Sequence, residues 1–92
     1  MPVKILIPTP LRAYTNKLDT VEVKATTVGD AITALTSQFS ELRKHLYNDE
    51  GRLRSFVNVY LNDEDIRFLH KDQTEVNDGD TISIVPSIAG GR

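Results

Sequence analysis

The chain contains no cysteine. That excludes disulfides, iron–sulfur clusters and zinc–thiolate sites together. It also means that any sulfur chemistry here cannot run through a side-chain thiol. Long apolar runs are missing too: nothing approaches the roughly 20 residues that span a bilayer. The start, Met1-Pro2-Val3-Lys4, lacks the basic-then-apolar form of a secretory leader. A cytoplasmic protein with no membrane partner is therefore expected. Basic excess is absent as well, since the net charge is -2 and the pI near 5.6. A nucleic-acid surface normally needs a basic face, so no nucleic-acid partner is expected.

Catalytic groups are equally scarce. The only two histidines, His45 and His70, lie beside Lys44 and Lys71. Neither has a serine–acid or metal-ligand partner at a usable spacing, and both read as solvated surface residues. The acidic run Asp63-Glu64-Asp65 lacks the spaced oxygens and the glycine of a calcium loop; it reads as a polar turn. Gly29 stands alone and makes no phosphate loop. No catalytic set and no metal site is expected, so the chain is not read as an enzyme.

What is present suits one small α+β domain. Ninety-two residues make one domain, and 39% apolar with 26% charged residues is ordinary for a globular chain. Val3, Ile5 and Ile7 alternate as in a strand, broken by Pro8 and Pro10. Leu11 to Asn16 reads as a loop or turn with Asn16-Lys17 at its tip. Thr20-Val21-Glu22-Val23-Lys24 alternates again and completes a hairpin. The main helix follows, capped by Thr27 with Asp30 three residues on. Val28, Ala31, Ile32, Leu35 and Phe39 form its buried stripe. Ser40 to Tyr47 reads as a second short helix or turn.

Phe56 to Leu61 is the next strand, with Val57, Val59 and Leu61 inward and Phe56, Asn58 and Tyr60 outward. Asn62 to Asp65 is read as a tight turn, and Ile66-Arg67-Phe68 as a short returning strand. Leu69 to Val76 is read as a loop, Asn77-Asp78-Gly79-Asp80 as a turn, and Thr81 to Pro86 as the last strand. The order β-β-α-β-β-β, with apolar first and last strands, fits a β-grasp (ubiquitin-like) fold. Such a fold has a mixed four- to five-stranded sheet and one main helix packed on one face. Residues 1–86 form the expected domain and 87–92 a flexible tail.

Two further features point outward. Leu6, Val85, Phe56 and Tyr60 fall on the sheet side away from the helix, as a partner surface or as a patch covered by the Pro8–Lys17 loop. The chain then ends Ser87-Ile88-Ala89-Gly90-Gly91-Arg92. Glycine costs backbone entropy and packs nothing, so Gly90-Gly91 suits either a frayed terminus or a thin tail threading into another protein's active site.

Taken together these residues resemble a known family. Phe56-Val57-Asn58-Val59-Tyr60-Leu61-Asn62-Asp63-Glu64-Asp65-Ile66-Arg67 is similar to the F-V-N-x-Y-x-N-x-E-D-x-R segment of prokaryotic ubiquitin-like sulfur carriers. Ile7-Pro8-Thr9-Pro10-Leu11-Arg12, Asn77-Asp78-Gly79-Asp80 and the Gly90-Gly91 ending resemble the same group, the MoaD/ThiS family, and in particular its CysO-like carriers of cysteine biosynthesis.

The resemblance implies that an E1-like adenylating enzyme uses ATP and magnesium to activate the terminal glycine, which sulfur converts to a thiocarboxylate. The carrier itself would bind no cofactor. Gly91 and Gly90 would be the acyl-carrier terminus. Phe56, Tyr60, Leu6 and Val85, with Ile88 and Ala89 of the tail, would meet the partners. A sulfur-accepting synthase, PLP-dependent in cysteine biosynthesis, would take the sulfur. Molybdopterin, thiamine and tRNA thiolation are the alternative destinations. Ubiquitin-like conjugation to lysines and a non-chemical binding module are the alternative functions. Arg92 departs from the mature family ending, because it turns the Gly91 carboxyl into an amide. Three readings stand: a JAMM-type metalloprotease removes Arg92 at the Gly91–Arg92 processing site, Arg92 is foreign to the natural chain, or the tail has no acyl chemistry.

Overall fold

The computed structural model describes residues 2–51, 53–54 and 57–86. The first hairpin pairs β1 (Val3–Leu6) antiparallel with β2 (Thr20–Val23), Ile5 opposite Val21. Asn16 and Lys17 both take positive φ, 56° and 68°, at the tip of the connection. Before that tip the chain winds into a 3-10 helix, Thr9–Tyr14, where a loop is expected. Pro10 supplies a fixed φ at its start. Leu11, 8% exposed, drops from this turn into the core.

α1 (Val28–Gln38) starts where the cap predicts: Thr27 Oγ1 accepts from Asp30 N–H at 3.1 Å. Asp30 does not complete a capping box. Its Oδ2 accepts instead from the Thr26 hydroxyl at 2.9 Å, because an aspartate is one methylene too short to reach back as glutamate does. Val28, Ala31, Ile32 and Leu35 are all at most 1% exposed. Phe39 ends the helix and packs half-buried at the core margin. The expected second helix is present as α2 (Ser40–Leu46), which buries Leu42 and Leu46.

β3 (Val57–Leu61) turns through Asn62 and Asp63, both at positive φ (51° and 74°), into β4 (Glu64–Asp65). Two successive residues at positive φ make the two-residue type I′ hairpin. The turn is thus shorter than the four residues expected, and the returning strand comes earlier. Ile66-Arg67-Phe68, expected as strand, is a 3-10 helix: Asp65 Oδ1 accepts from Arg67 N–H at 2.9 Å and caps it. The following loop holds another such turn, Lys71–Gln73. Beyond it the chain clamps the start of α1, with Val28 N–H to Thr74 O at 2.9 Å and Val76 N–H to Thr26 O at 3.0 Å.

β5 (Thr81–Pro86) completes a five-stranded sheet of order β2-β1-β5-β3-β4. β1 and β5 are parallel neighbours inside it, and β5 is antiparallel to β3. The alternation of β1, β3 and β5 sends Val3, Ile5, Val57, Val59, Leu61, Ile82 and Ile84 to one face, all buried against the helices. Each such side chain contributes about 1.5–3 kcal/mol on burial. This is the β-grasp arrangement.

Candidate functional site

One sheet face is left without a helix. On it stand Lys4, Leu6, Glu22, Asn58, Tyr60, Thr81, Ser83 and Val85, the residues that alternate with the buried set. The register sorts them into two ends. Lys4 lies beside Glu22 on one side and Thr81 on the other. Further along, Leu6 and Tyr60 both pair with Ser83, one from each neighbouring strand. Val85 follows, opposite Asn58. The face is polar where β5 begins and apolar where β5 ends.

Exposure fits a surface that contacts something. Leu6 is 40% exposed, Val85 45%, and Tyr60 is half-buried. The 3-10 helix Thr9–Tyr14 does not cover them. It turns toward α2, where the Tyr14 ring stacks on His45 with centroids 4.1 Å apart. This corrects the reading of His45 as a solvated residue: it is half-buried under an aromatic ring. His70 is exposed, as expected.

The structure brings Leu6, Tyr60 and Val85 together on this face. Phe56, Ile88, Ala89, Gly90, Gly91 and Arg92 lie outside the described residues. Pro86, the last described residue, pairs with Val57 at the apolar end of the face.

The hairpin at the edge of the sheet is held by charge. Arg67 Nη2 donates to Asp65 Oδ2 at 2.6 Å, and its Nε donates to both carboxylate oxygens at 3.1 Å. These bonds, with the Arg67 backbone N–H, hold the Asp65 carboxyl below its ordinary range. Tyr47 is shifted the other way. Burial pushes its hydroxyl pKa up, partly opposed by Arg43, whose guanidinium carbon lies 5.4 Å from the ring centroid. Asn62 ties the β3–β4 turn to the start of β5: its Oδ1 accepts from Thr81 N–H at 3.0 Å and its Nδ2 donates to Asp80 at 3.1 Å. Sequence reading met Asn62, Asp65 and Arg67 as letters of the family-like segment and gave them no structural role, since their roles depend on pairings across the hairpin. Exposed Phe68, 82% accessible, also went unremarked. Among the described residues no group of three His, Cys, Asp or Glu side chains could hold a metal. No helix there is long and apolar enough to cross a membrane.

A mixed β-grasp sheet with one face covered by helices and the other open defines a ubiquitin-like protein. The comparisons agree. A model described as the ThiS family matches residues 5–91. The sulfur carrier protein CysO of Mycobacterium tuberculosis is 39% identical over 93 residues, taking in 99% of this chain and 100% of that protein. Among solved structures, a chain of the Amycolatopsis orientalis BexX/CysO complex superposes with a TM-score of 0.87 at 43% identity, covering 97% of this chain and 99% of that one. Mycobacterium tuberculosis CysO superposes at 0.85 and 36% identity, with 94% and 99% covered. The chain belongs to the ThiS family of ubiquitin-like sulfur carriers, and within it is similar to the CysO proteins.

Proposed function

We propose that this protein carries sulfur as a thiocarboxylate on Gly91 and delivers it to cysteine biosynthesis. Similarity to CysO carriers along almost the whole chain supports the reading. The observation that carries it is the placement of Leu6, Tyr60 and Val85 together on the open face, with Val85 on the strand that precedes the tail in sequence. A partner that grips this face has the tail directed into its own active site.

The chemistry begins at Arg92. A JAMM-type metalloprotease hydrolyses the Gly91–Arg92 amide and frees the Gly91 carboxylate. An E1-like adenylating enzyme then binds the open face with ATP and magnesium. A carboxylate oxygen attacks the α-phosphorus and pyrophosphate leaves. Hydrosulfide adds to the acyl carbon of the adenylate, AMP leaves with the oxygen it gained, and the proton passes to solvent. One carboxylate oxygen has been exchanged for sulfur. Gly90 and Gly91 suit this role because without Cβ atoms the backbone can enter a narrow nucleotide site; Ile88 and Ala89 lead into it. A PLP-dependent cysteine synthase then takes the sulfur. This chain supplies an acyl group and a docking surface, and the partners supply the catalysis.

The test is pyrophosphate exchange with a purified adenylating enzyme of the CysO pathway. The chain ending at Gly91 should support exchange, and the chain ending at Arg92 should not until a peptidase has acted. Equal exchange by both forms, or by neither, contradicts the proposal. Conjugates that survive boiling and reductant would instead indicate lysine modification.

A further inference from the structure

The apolar patch of the open face continues past β1. Leu6 pairs with Thr20 of β2. Ile7 N–H donates to Asp19 O at 2.8 Å, so the antiparallel register runs one residue beyond the strand. One more residue sets Pro8 opposite Leu18. Ile7 is 1% exposed and faces the core, so strand alternation turns Leu6 and Pro8, with Leu18 across from Pro8, to the open side. In the parallel register Leu6 is level with Ser83, and two residues on Pro8 is level with Val85. Val85, Pro8 and Leu18 thus make an end row beside that of Tyr60, Ser83 and Leu6. Among the described residues the exposed large hydrophobic side chains are Leu6, Leu18, Phe68 and Val85. Three of these four fall in the two rows. Scattered exposed aliphatics are ordinary, whereas a contiguous group on one face marks a contact surface.

Leu18 is held from inside the molecule. Its N–H donates to Thr15 O at 2.9 Å, and its carbonyl accepts from the Thr15 hydroxyl at 3.0 Å. Thr15 is fully buried, while the Leu18 side chain stays 45% exposed. A fixed backbone leaves little ordering cost to be met on contact. Two cations flank this leucine. Arg12 Nε donates to Ile7 O at 3.0 Å, on the side of β1 that faces β2, which sets the guanidinium at the seam next to Leu18. Lys17, exposed and at φ 68°, precedes Leu18 at the tip. Asp19 falls on the other side of the sheet by the alternation that buries Ile7. This end of the face is therefore cationic on a chain of net charge -2.

We infer that Leu18 is a partner-contacting residue, and that the adenylating enzyme meets the hairpin tip with an apolar surface rimmed by carboxylates. The inference rests on the carrier reading, whose docking face it extends across β1 to Leu18 and Pro8. The enzyme's apolar side chains cover Leu18, Pro8 and Val85, and its carboxylates meet Arg12 and Lys17. Rim charges of opposite sign chiefly raise the rate of association, and the covered aliphatic side chains chiefly slow dissociation. The two parts of the surface are thus separable in kinetics.

The experiment measures association and dissociation of the chain ending at Gly91 with a purified adenylating enzyme of the CysO pathway, beside pyrophosphate exchange and urea denaturation. Leu18→Asp should weaken binding about tenfold and Leu18→Ala about fivefold, mainly through faster dissociation. Leu18→Met, which keeps the apolar volume, should stay within about twofold of the parent. Lys17→Asp, a residue type tolerated at positive φ, should slow association about threefold at low salt and leave dissociation unchanged. All four variants should keep the parent's urea midpoint to within the small range of exposed substitutions. Parental affinity in both Leu18→Asp and Leu18→Ala would overturn the inference. A loss in Leu18→Ala matched by a lower urea midpoint would mark Leu18 as structural and overturn it too. Faster association of Lys17→Asp would contradict an acidic rim on the enzyme. Binding by the parent without pyrophosphate exchange would refute the carrier reading and leave the Leu18 contact standing, whereas full exchange and affinity in Leu18→Asp would do the reverse. No binding by the parent up to about 1 mM would overturn both.

Discussion

Val85 stands directly opposite Asn58 in the β3–β5 ladder, and one step further Pro86 faces Val57. An exposed aliphatic side chain thus stands on the open face immediately before the last described residue. The strand is central, so its position is fixed by hydrogen bonds on both sides, while Val85 itself is 45% exposed. Rigid backbone and accessible apolar side chain are the combination that a docking surface needs.

Val85→Asp should therefore separate docking from folding. A carboxylate there would be desolvated against an apolar partner, and adenylation efficiency should fall about tenfold or more. The stability loss should stay near or below about 1 kcal/mol, the span of strand propensity at an exposed site. Pyrophosphate exchange and urea denaturation measure the two quantities. Unchanged exchange would remove Val85 from the partner surface.

The Asp65–Arg67 pair makes a prediction about pH. The Asp65 carboxyl is held below its ordinary value chiefly by its hydrogen bonds from Arg67. A depressed carboxyl pKa contributes stability that is fully present above the unfolded value of about 3.9 and is lost as pH falls through the folded value. Arg67→Gln should raise the Asp65 midpoint toward the ordinary range and remove that contribution. A ¹³C titration of the Asp65 carboxyl in both proteins checks it; coincident midpoints would refute the assignment.

The β3–β4 turn offers a gain in stability. Asp63 is held at φ 74°, a region that glycine enters without steric cost, and Asn-Gly is the favoured type I′ pair. Asp63→Gly should stabilise the protein by about 0.5–1 kcal/mol, read as a higher urea midpoint at unchanged slope. A lower midpoint would show that the Asp63 side chain holds the hairpin in a way the turn geometry does not reveal.

Much of this architecture was legible in the sequence. The alternation of Val3, Ile5 and Ile7, of Val57, Val59 and Leu61, and of Ile82 and Ile84 assigns the buried face of three strands, and all of these residues are buried. Thr27 marks the start of α1 and does cap it. The misreadings share a cause. Ile66-Arg67-Phe68 has strand composition, but the Asp65 side chain captures the Arg67 N–H and bends the chain into a 3-10 turn. Thr9–Tyr14 looked irregular for want of periodicity, yet Pro10 within it and Pro8 just before it favour a tight turn that Leu11 anchors. His45 looked solvated because its partner, Tyr14, lies thirty-one positions earlier in the chain. Local pattern carries period and cap; it does not carry side-chain captures or distant stacking. The Leu6, Tyr60 and Val85 face was legible because it follows from strand alternation.

Intact-protein mass spectrometry of the chain expressed in its native host, under sulfur-demanding growth, tests the central claim most directly. The carrier account predicts a species lacking Arg92 and, on part of it, a further gain equal to one oxygen replaced by sulfur. A population that keeps Arg92 throughout and shows no sulfur gain would contradict the account and leave a binding module without acyl chemistry.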